Sequence, residues 1–136
     1  MALAEGSVLD GRYRVLRQLG EGGMGSVYQV EDLARPSAVW VLKVLLDDTT
    51  ASPEDAAWAR RRFDDEIALM RTLAHPRIPR FCEALVEGGR RCFVMEFIPG
   101  VTLEERLAAT HAPLPERDVL RWLIAVCDVL TYLHGR

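Results

Sequence analysis

The chain has 136 residues, of which 49% are apolar and 27% charged, and its net charge is −3. This composition predicts one globular domain or a piece of a larger one, and it excludes a disordered chain. The acidic balance disfavours nucleic acid as a partner, and no apolar stretch has the length of a membrane span. Three cysteines without CxxC spacing indicate reduced thiols rather than a metal site.

Two strands and a glycine-rich turn are predicted in the first part of the chain. Residues 12–20 alternate polar and apolar side chains, and residues 26–33 do the same. Such alternation is typical of half-buried strands. Three glycines lie in the connecting segment 21–25, which favours a tight turn between the two strands.

A third strand is predicted over the apolar run 38–46, which contains Lys43. This is the only lysine in the chain, beside sixteen arginines. A lone lysine favours a task that requires a compact ammonium group, such as holding a phosphate, forming a Schiff base or pairing with one buried carboxylate. The alternative is a lysine at the solvent-facing position of a strand.

A long helix is predicted after this strand. Ser52 is a suitable N-cap, Pro53 follows at the first helical position, and Asp55 lies three residues after the cap. The helix is expected to end near Leu73, because His75-Pro76 disfavours helical backbone.

The predicted helix places a carboxylate among apolar residues. On a helical wheel, Glu66 falls in the middle of an apolar arc; the arc consists of Phe63, Ile67, Leu69, Met70 and Leu73. A carboxylate that faces a core is costly unless it is paired. We therefore predict that Glu66 pairs with Lys43. The alternative is that Glu66 tilts outward into solvent.

The remaining elements are two strands and two helices. Strands are predicted at 80–87 and 91–97, joined by a tight turn at Gly88-Gly89. Thr102 and Glu105 form the pattern of a capping box at the start of a short helix. A last helix runs from about residue 115 to the end and is apolar around most of its circumference.

The glycine-rich turn fits the pattern G-x-G-x-x-G-x-V, with its glycines at Gly20, Gly22 and Gly25 and its valine at Val27. This pattern occurs in dinucleotide sites, where the third glycine opens a helix. Residues 26–30 are β-branched or aromatic at three positions and predict a strand instead. The turn therefore favours a lid over a triphosphate, and a dinucleotide-binding oxidoreductase is the less favoured alternative.

The sequence resembles the N-terminal lobe of a protein kinase. The resemblance rests on residues 19–28, Lys43, Glu66, His75-Pro76 and residues 94–97. The sequence of the glycine-rich motif is most similar to that of bacterial serine/threonine kinases of the eukaryotic-like type. The resemblance covers roughly residues 10–136. It implies an α+β fold: a kinase N-lobe with a five-stranded antiparallel sheet and one large helix, followed by two helices of an incomplete C-lobe.

The resemblance also implies three parts of the chain. Residues 1–11 would be an N-terminal segment, residues 12–98 the ATP-binding N-lobe, and residues 99–136 the hinge exit and the first C-lobe helices. Lys43 and Glu66 would be the catalytic residues, since Lys43 would hold the α- and β-phosphates and Glu66 would orient it.

Further residues would bind the nucleotide if the resemblance holds. Gly20, Gly22 and Gly25 would cover the phosphates. Met95 would be the gatekeeper, and Glu96 and Ile98 would offer backbone groups to adenine. The other positions implied to contact the nucleotide are Leu19, Val27 and Val41. Val41 stands where the family usually has alanine.

The motifs H-R-D-x-x-x-x-N and D-F-G of the family do not occur in this sequence. The general base and the Mg²⁺ ligands are therefore expected outside the chain, and the chain alone is expected to be inactive. The expected function is the ATP-binding portion of a serine/threonine kinase, with protein substrates and the missing C-terminal lobe as partners. A non-catalytic pseudokinase or nucleotide-sensing half-domain is the alternative. We expect a cytoplasmic location, with a membrane anchor beyond residue 136 left open.

Overall fold

The computed structural model describes residues 2–22, 25–45 and 52–135. Gly23 and Met24 of the predicted turn, and Leu46 of the predicted third strand, lie outside the described residues. Within the described ranges the elements, in chain order, are β1 (Val8–Leu9), β2 (Tyr13–Gly22), β3 (Gly25–Asp32), β4 (Val39–Val44), α1 (Pro53–Thr72), β5 (Phe81–Glu87), β6 (Arg90–Glu96), α2 (Leu103–Ala109) and α3 (Glu116–His134).

The strands form one antiparallel sheet in the order β1-β2-β3-β4-β6-β5. All five predicted strands are present, and β1 is an additional strand of two residues. The sequence did not predict it because two residues are too few to show alternation. Gly88 and Gly89 connect β5 to β6 with φ values of 57° and 81°, a backbone conformation that glycine adopts without steric cost.

Side chains of the sheet are divided between two cores. One core contains no residue of α1 and is formed by buried residues of the strands: Leu9, Tyr13, Val15, Tyr28, Val30, Leu42, Val44, Cys92 and Val94. The other core lies where α1 packs on the sheet, and its buried members are Leu45, Phe63 and Phe93. The rings of Phe63 and Phe93 are 5.4 Å apart between centroids, so an aromatic pair anchors α1 to β6.

Helix α1 begins as predicted. The Ser52 hydroxyl accepts a hydrogen bond of 3.1 Å from the backbone N–H of Asp55, and Pro53 is the first helical residue. The prediction that Leu69 belongs to the apolar arc is wrong, because 52% of Leu69 is exposed. Leu69 lies about 120° around the helix from Phe63. Without Leu69, Glu66 lies toward one side of the arc, between Met70 and Leu73.

The chain divides into two compact units. The first consists of residues 1–73 and 80–97, and the second of residues 74–79 and 98–136. In the second unit, Thr102 and Glu105 form the predicted capping box before α2. Among the described helices, none has the length and hydropathy that a membrane crossing requires.

Within the second unit, the segment 74–79 is held by two side chains of α3. Asp128 accepts a hydrogen bond of 2.6 Å from the guanidinium of Arg77, and the Tyr132 hydroxyl accepts one of 2.8 Å from the backbone N–H of Ala74. Several large apolar residues of α3 remain exposed: Leu120, Leu123, Ile124, Val126 and Leu130. The final helix is thus apolar on exposed faces as well as on its packed face.

Candidate functional site

Three neighbouring strands bring Gly20, Val27 and Lys43 into one row. Gly20 of β2 pairs with Val27 of β3, which in turn pairs with Lys43 of β4. Directly opposed residues of antiparallel strands carry their side chains on the same face of a sheet. The valine and the lysine therefore project on one face, beside the glycine that has no side chain.

A second row lies two residues away on the same face. Val41 of β4 pairs with Met95 of β6, and alternation along β4 puts Val41 on the face of Lys43. Only 6% of Val41 is exposed. The sheet thus brings together five of the residues assigned from sequence. Leu19 falls at a register shift of β2, so strand pairing does not fix its direction.

Lys43 is held by Glu66 of α1. Its ammonium donates hydrogen bonds of 2.6 and 2.7 Å to the two carboxylate oxygens, and the side chains are 18% and 32% exposed. The predicted ion pair between these residues is therefore present. An ammonium has three donors, so two directed at Glu66 leave one for another acceptor.

The glycines of the turn meet different steric conditions. At Gly25, φ is +150° and an added Cβ would collide with the backbone carbonyl oxygen of Val44. Packing therefore requires glycine at this position. At Gly20 and Gly22, an added Cβ would meet no atom within 4 Å. The backbone there borders open space, so a ligand can approach it closely.

The end of β6 carries Glu96. Its backbone N–H donates a hydrogen bond of 2.9 Å to the carbonyl of Arg80, and its carboxylate accepts one of 3.2 Å from the Arg80 backbone N–H. The N–H of Glu96 is therefore already used within the first unit. Ile98 belongs to the second unit and is exposed.

Sequence reasoning gave no role to Arg12 and Asp32, which form a bidentate ion pair with distances of 2.9 and 2.8 Å. Asp32 is fully buried. Its hydrogen bond from Arg12 is the main reason why the pKa of this carboxyl lies below its ordinary value. Asp32 follows Ser26, Tyr28 and Val30 on the inward positions of β3, so an inward carboxylate was visible in the alternation.

In the described ranges, no group of three or more histidine, cysteine, aspartate or glutamate side chains is arranged as a metal centre.

Comparison with known proteins gives the family. The pattern of the protein kinase domain family matches residues 13–136. The chain is 31% identical over 134 residues to the probable serine/threonine-protein kinase YbdM of Bacillus subtilis. These residues are 98% of this chain and 50% of YbdM. The chain is 36% identical over 136 residues to the serine/threonine-protein kinase pkn2 of Myxococcus xanthus, covering 100% of this chain and 16% of that protein.

Solved structures agree with this assignment. The kinase domain of PknI from Mycobacterium tuberculosis superposes with a TM-score of 0.76 at 33% identity, covering 99% of this chain and 52% of that one. A double mutant of that domain gives a TM-score of 0.78 at 34% identity, covering 100% and 52%. The chain thus spans about half or less of the length of each of the proteins named here. With its kinase-like fold confirmed, this chain belongs to the protein kinase domain family, and the relatives named above are bacterial kinases.

Proposed function

We propose that this chain is the ATP-binding part of a serine/threonine kinase, whose complete form transfers the γ-phosphate of Mg·ATP to protein hydroxyls. The observation that carries the proposal is the Lys43 ammonium, which both oxygens of Glu66 hold on the sheet face shared by Gly20 and Val27. A fixed ammonium beside an unobstructed glycine backbone is suited to bind phosphate oxygens.

The groups around Lys43 are suited to bind a nucleoside triphosphate. The third N–H donor of Lys43 would bind an α- or β-phosphate oxygen, a charge-assisted hydrogen bond that contributes about 1.5–3 kcal/mol. The carboxylate of Glu66 orients the lysine through two hydrogen bonds. Gly20 and Gly22 would let backbone N–H groups approach the phosphates, as would the glycine that packing requires at position 25.

Adenine would lie against the apolar side chains of the same face. Val27, Val41 and Met95 supply that surface, with Leu19 at the register shift of β2. Because the N–H of Glu96 is already bonded to Arg80, we propose that Glu96 offers its carbonyl to adenine. Ile98 would offer its backbone. ATP supplies the phosphoanhydride that reacts, and these residues bind and orient it.

The proposal assigns a role to each part of the chain. Residues 12–98 would be the ATP-binding lobe and residues 99–136 the start of the C-lobe, preceded by the segment 1–11. The Mg²⁺ ligands and the base for the substrate hydroxyl would lie in the part of the kinase domain that this chain does not span. Its partners would be that part of the domain and the protein substrates. Because the reaction requires ATP, a cytoplasmic location is proposed.

A titration with a fluorescent ATP analogue tests the binding role. We expect Lys43→Ala to weaken binding by about tenfold or more, because a charge-assisted hydrogen bond to phosphate is lost. Arg121→Ala is the control, since Arg121 is an exposed cation of α3 that pairs with Asp118 on the same helix. Equal binding by the wild type and Lys43→Ala would contradict the proposal.

The alternative function is that of a non-catalytic nucleotide-sensing module. A phosphate-transfer assay of the complete gene product distinguishes this alternative from a kinase. Transfer of ³²P from γ-labelled ATP to an added mixture of proteins, lost in Lys43→Ala, supports the kinase. Nucleotide binding without any transfer supports the sensing module.

A further inference from the structure

Residues 2–12, hereafter the N-terminal strap, precede the part of the chain that matches the kinase family. The strap extends the sheet along the outer edge of β2. Val8 and Leu9 pair with Arg14 and Tyr13, and Val15 exchanges two hydrogen bonds of 2.8 Å with Gly6 and Ser7. The beginning of β2 is therefore not a free edge.

The strap is also anchored in the core that α1 does not touch. Leu9 is buried among the residues of that core, and Leu3 packs against it. The backbone N–H of Leu3 donates a hydrogen bond of 3.0 Å to the hydroxyl of Tyr28 on β3. Both apolar and polar contacts thus fix the strap to the sheet.

The strap reaches the opposite edge of the sheet as well. β5 is the last strand in the order that begins with β1, yet two of its glutamates accept hydrogen bonds from the strap. The backbone N–H of Asp10 donates to Glu87 at 3.2 Å, and the guanidinium of Arg12 donates to Glu83 at 2.8 Å. The hydroxyl of Tyr13, the first residue of β2, also donates to Glu83.

Arg12 is held firmly while it makes this contact. It forms the bidentate pair with the buried Asp32 at the end of β3. Its pKa is raised, mainly by the hydrogen bond to Asp32, so it remains charged. Burial, and next the hydrogen bond to Glu83, raise the pKa of Tyr13, so its hydroxyl remains a donor. One guanidinium therefore links β3 to β5.

We infer that the N-terminal strap closes the curled sheet, because it joins the edge at β2 to the edge at β5. While the strap is seated, the base of the β2–β3 hairpin, whose tip is the glycine-rich turn, is attached to β5. When the strap is displaced, the backbone edge of β2 and the carboxylates of Glu83 and Glu87 on β5 are released together. The inference depends on contacts within the first unit and does not rest on nucleotide binding.

Hydrogen–deuterium exchange of the 136-residue chain tests the closure. Glu83→Ala and Glu87→Ala each remove an acceptor on β5 without changing the strap itself. We expect amide exchange to become about two- to tenfold faster both in residues 4–15 and in residues 81–87, as loss of one or two hydrogen bonds implies. Exchange in β4 and β6 should stay unchanged.

Glu31→Ala is the matched control, because Glu31 pairs with Arg14 of β2, a residue outside the strap. It should leave residues 81–87 unchanged. Because Glu83→Ala leaves part of Arg12 unpaired and could unfold the sheet, Glu87→Ala provides the second, milder variant. If Glu87→Ala changes exchange only within β5, or equally in all strands, the strap does not join the two edges and the inference is wrong.

Discussion

The ammonium of Lys43 and the carboxylate of Glu66 face each other with both oxygens within 2.7 Å of the nitrogen. This pair connects β4 to α1, two elements that residues 45–52 separate in the sequence. Because the pair is partly buried, breaking it removes a contact between helix and sheet and also the partner that orients the lysine. Substitutions on the two sides of the pair therefore have different consequences.

Lys43→Arg keeps the charge and should change mainly ligand binding. The guanidinium is larger and planar, and its bidentate geometry matches the carboxylate of Glu66. We expect the free energy of unfolding to change by about 1 kcal/mol or less, while affinity for a fluorescent ATP analogue falls by about tenfold. Urea unfolding and the titration measure the two quantities. Unchanged affinity would mean that the compact shape of the ammonium is not needed.

Glu66→Gln leaves the Lys43 ammonium without a charged partner. An amide offers one acceptor oxygen and places its NH₂ donors near the ammonium. We expect a loss of about 1–2 kcal/mol in the free energy of unfolding. Asp64→Asn on the same helix is the control: it breaks the exposed pair with Arg91 and should cost less than about 0.5 kcal/mol. Similar losses in the two variants would show that burial of the Glu66 pair has no energetic consequence.

Gly25→Ala should destabilise the first unit, because the added Cβ would collide with the carbonyl oxygen of Val44 at a φ of +150°. We expect a loss of about 2–4 kcal/mol. Gly22→Ala introduces the same methyl group where no atom lies within 4 Å, and it should change stability by about 1 kcal/mol or less. Thermal and urea unfolding measure both variants. If their stabilities are equal, the close approach to Val44 does not constrain the turn.

Asp32→Asn should change the response of the protein to acid. Arg12 lowers the pKa of Asp32 in the fold, so the carboxylate stabilises the folded state above the unfolded pKa of about 3.9. This contribution is lost as the pH falls through the lower pKa of the folded state. Asp32→Asn should cost about 2–3 kcal/mol at pH 7.

The difference between wild type and Asp32→Asn should shrink when urea unfolding is measured again near pH 2.5. Other carboxylates titrate in both proteins, so the difference isolates Asp32. A constant difference across the two pH values would contradict the role of its ionised form.

The exposed apolar residues of α3 predict that the 136-residue chain binds hydrophobic dyes. Leu123 and Ile124 are consecutive residues of α3 and are 54% and 70% exposed. We expect strong fluorescence of 8-anilinonaphthalene-1-sulfonate, reduced by about half or more in the double substitution of Leu123→Lys and Ile124→Lys. A monomeric chain that unfolds in one sharp thermal transition and gives no dye fluorescence would contradict the prediction that this apolar surface binds dye.

Local chemistry made much of the fold predictable. The caps at Ser52 and Thr102 were read correctly from residue type and spacing, since each cap is formed within four residues. The hairpin at Gly88-Gly89 was predicted for the same reason. The Lys43–Glu66 pair was predictable because each residue was an unusual charge in an apolar setting and the two charges are opposite.

The features that could not be predicted from the sequence depend on tertiary structure. The buried face of α1 is set by the direction from which the sheet packs, and this direction decides that Leu69 is exposed. The contacts of Arg12 with Asp32 and Glu83 join residues 20 and 71 positions apart, and no local pattern connects them. The nucleotide-binding roles of all the site residues stay predictions. For Leu19 and Ile98, strand pairing does not fix the position of the side chain either.

The collision at position 25 has a consequence for natural variation. Every amino acid other than glycine carries a Cβ, so each missense change at this codon places an atom against the carbonyl of Val44. Size, charge and polarity of the new side chain are secondary to that first carbon. A second-site suppressor of such a change therefore has to move the backbone at residues 44–45, and repacking side chains around the turn would not restore it.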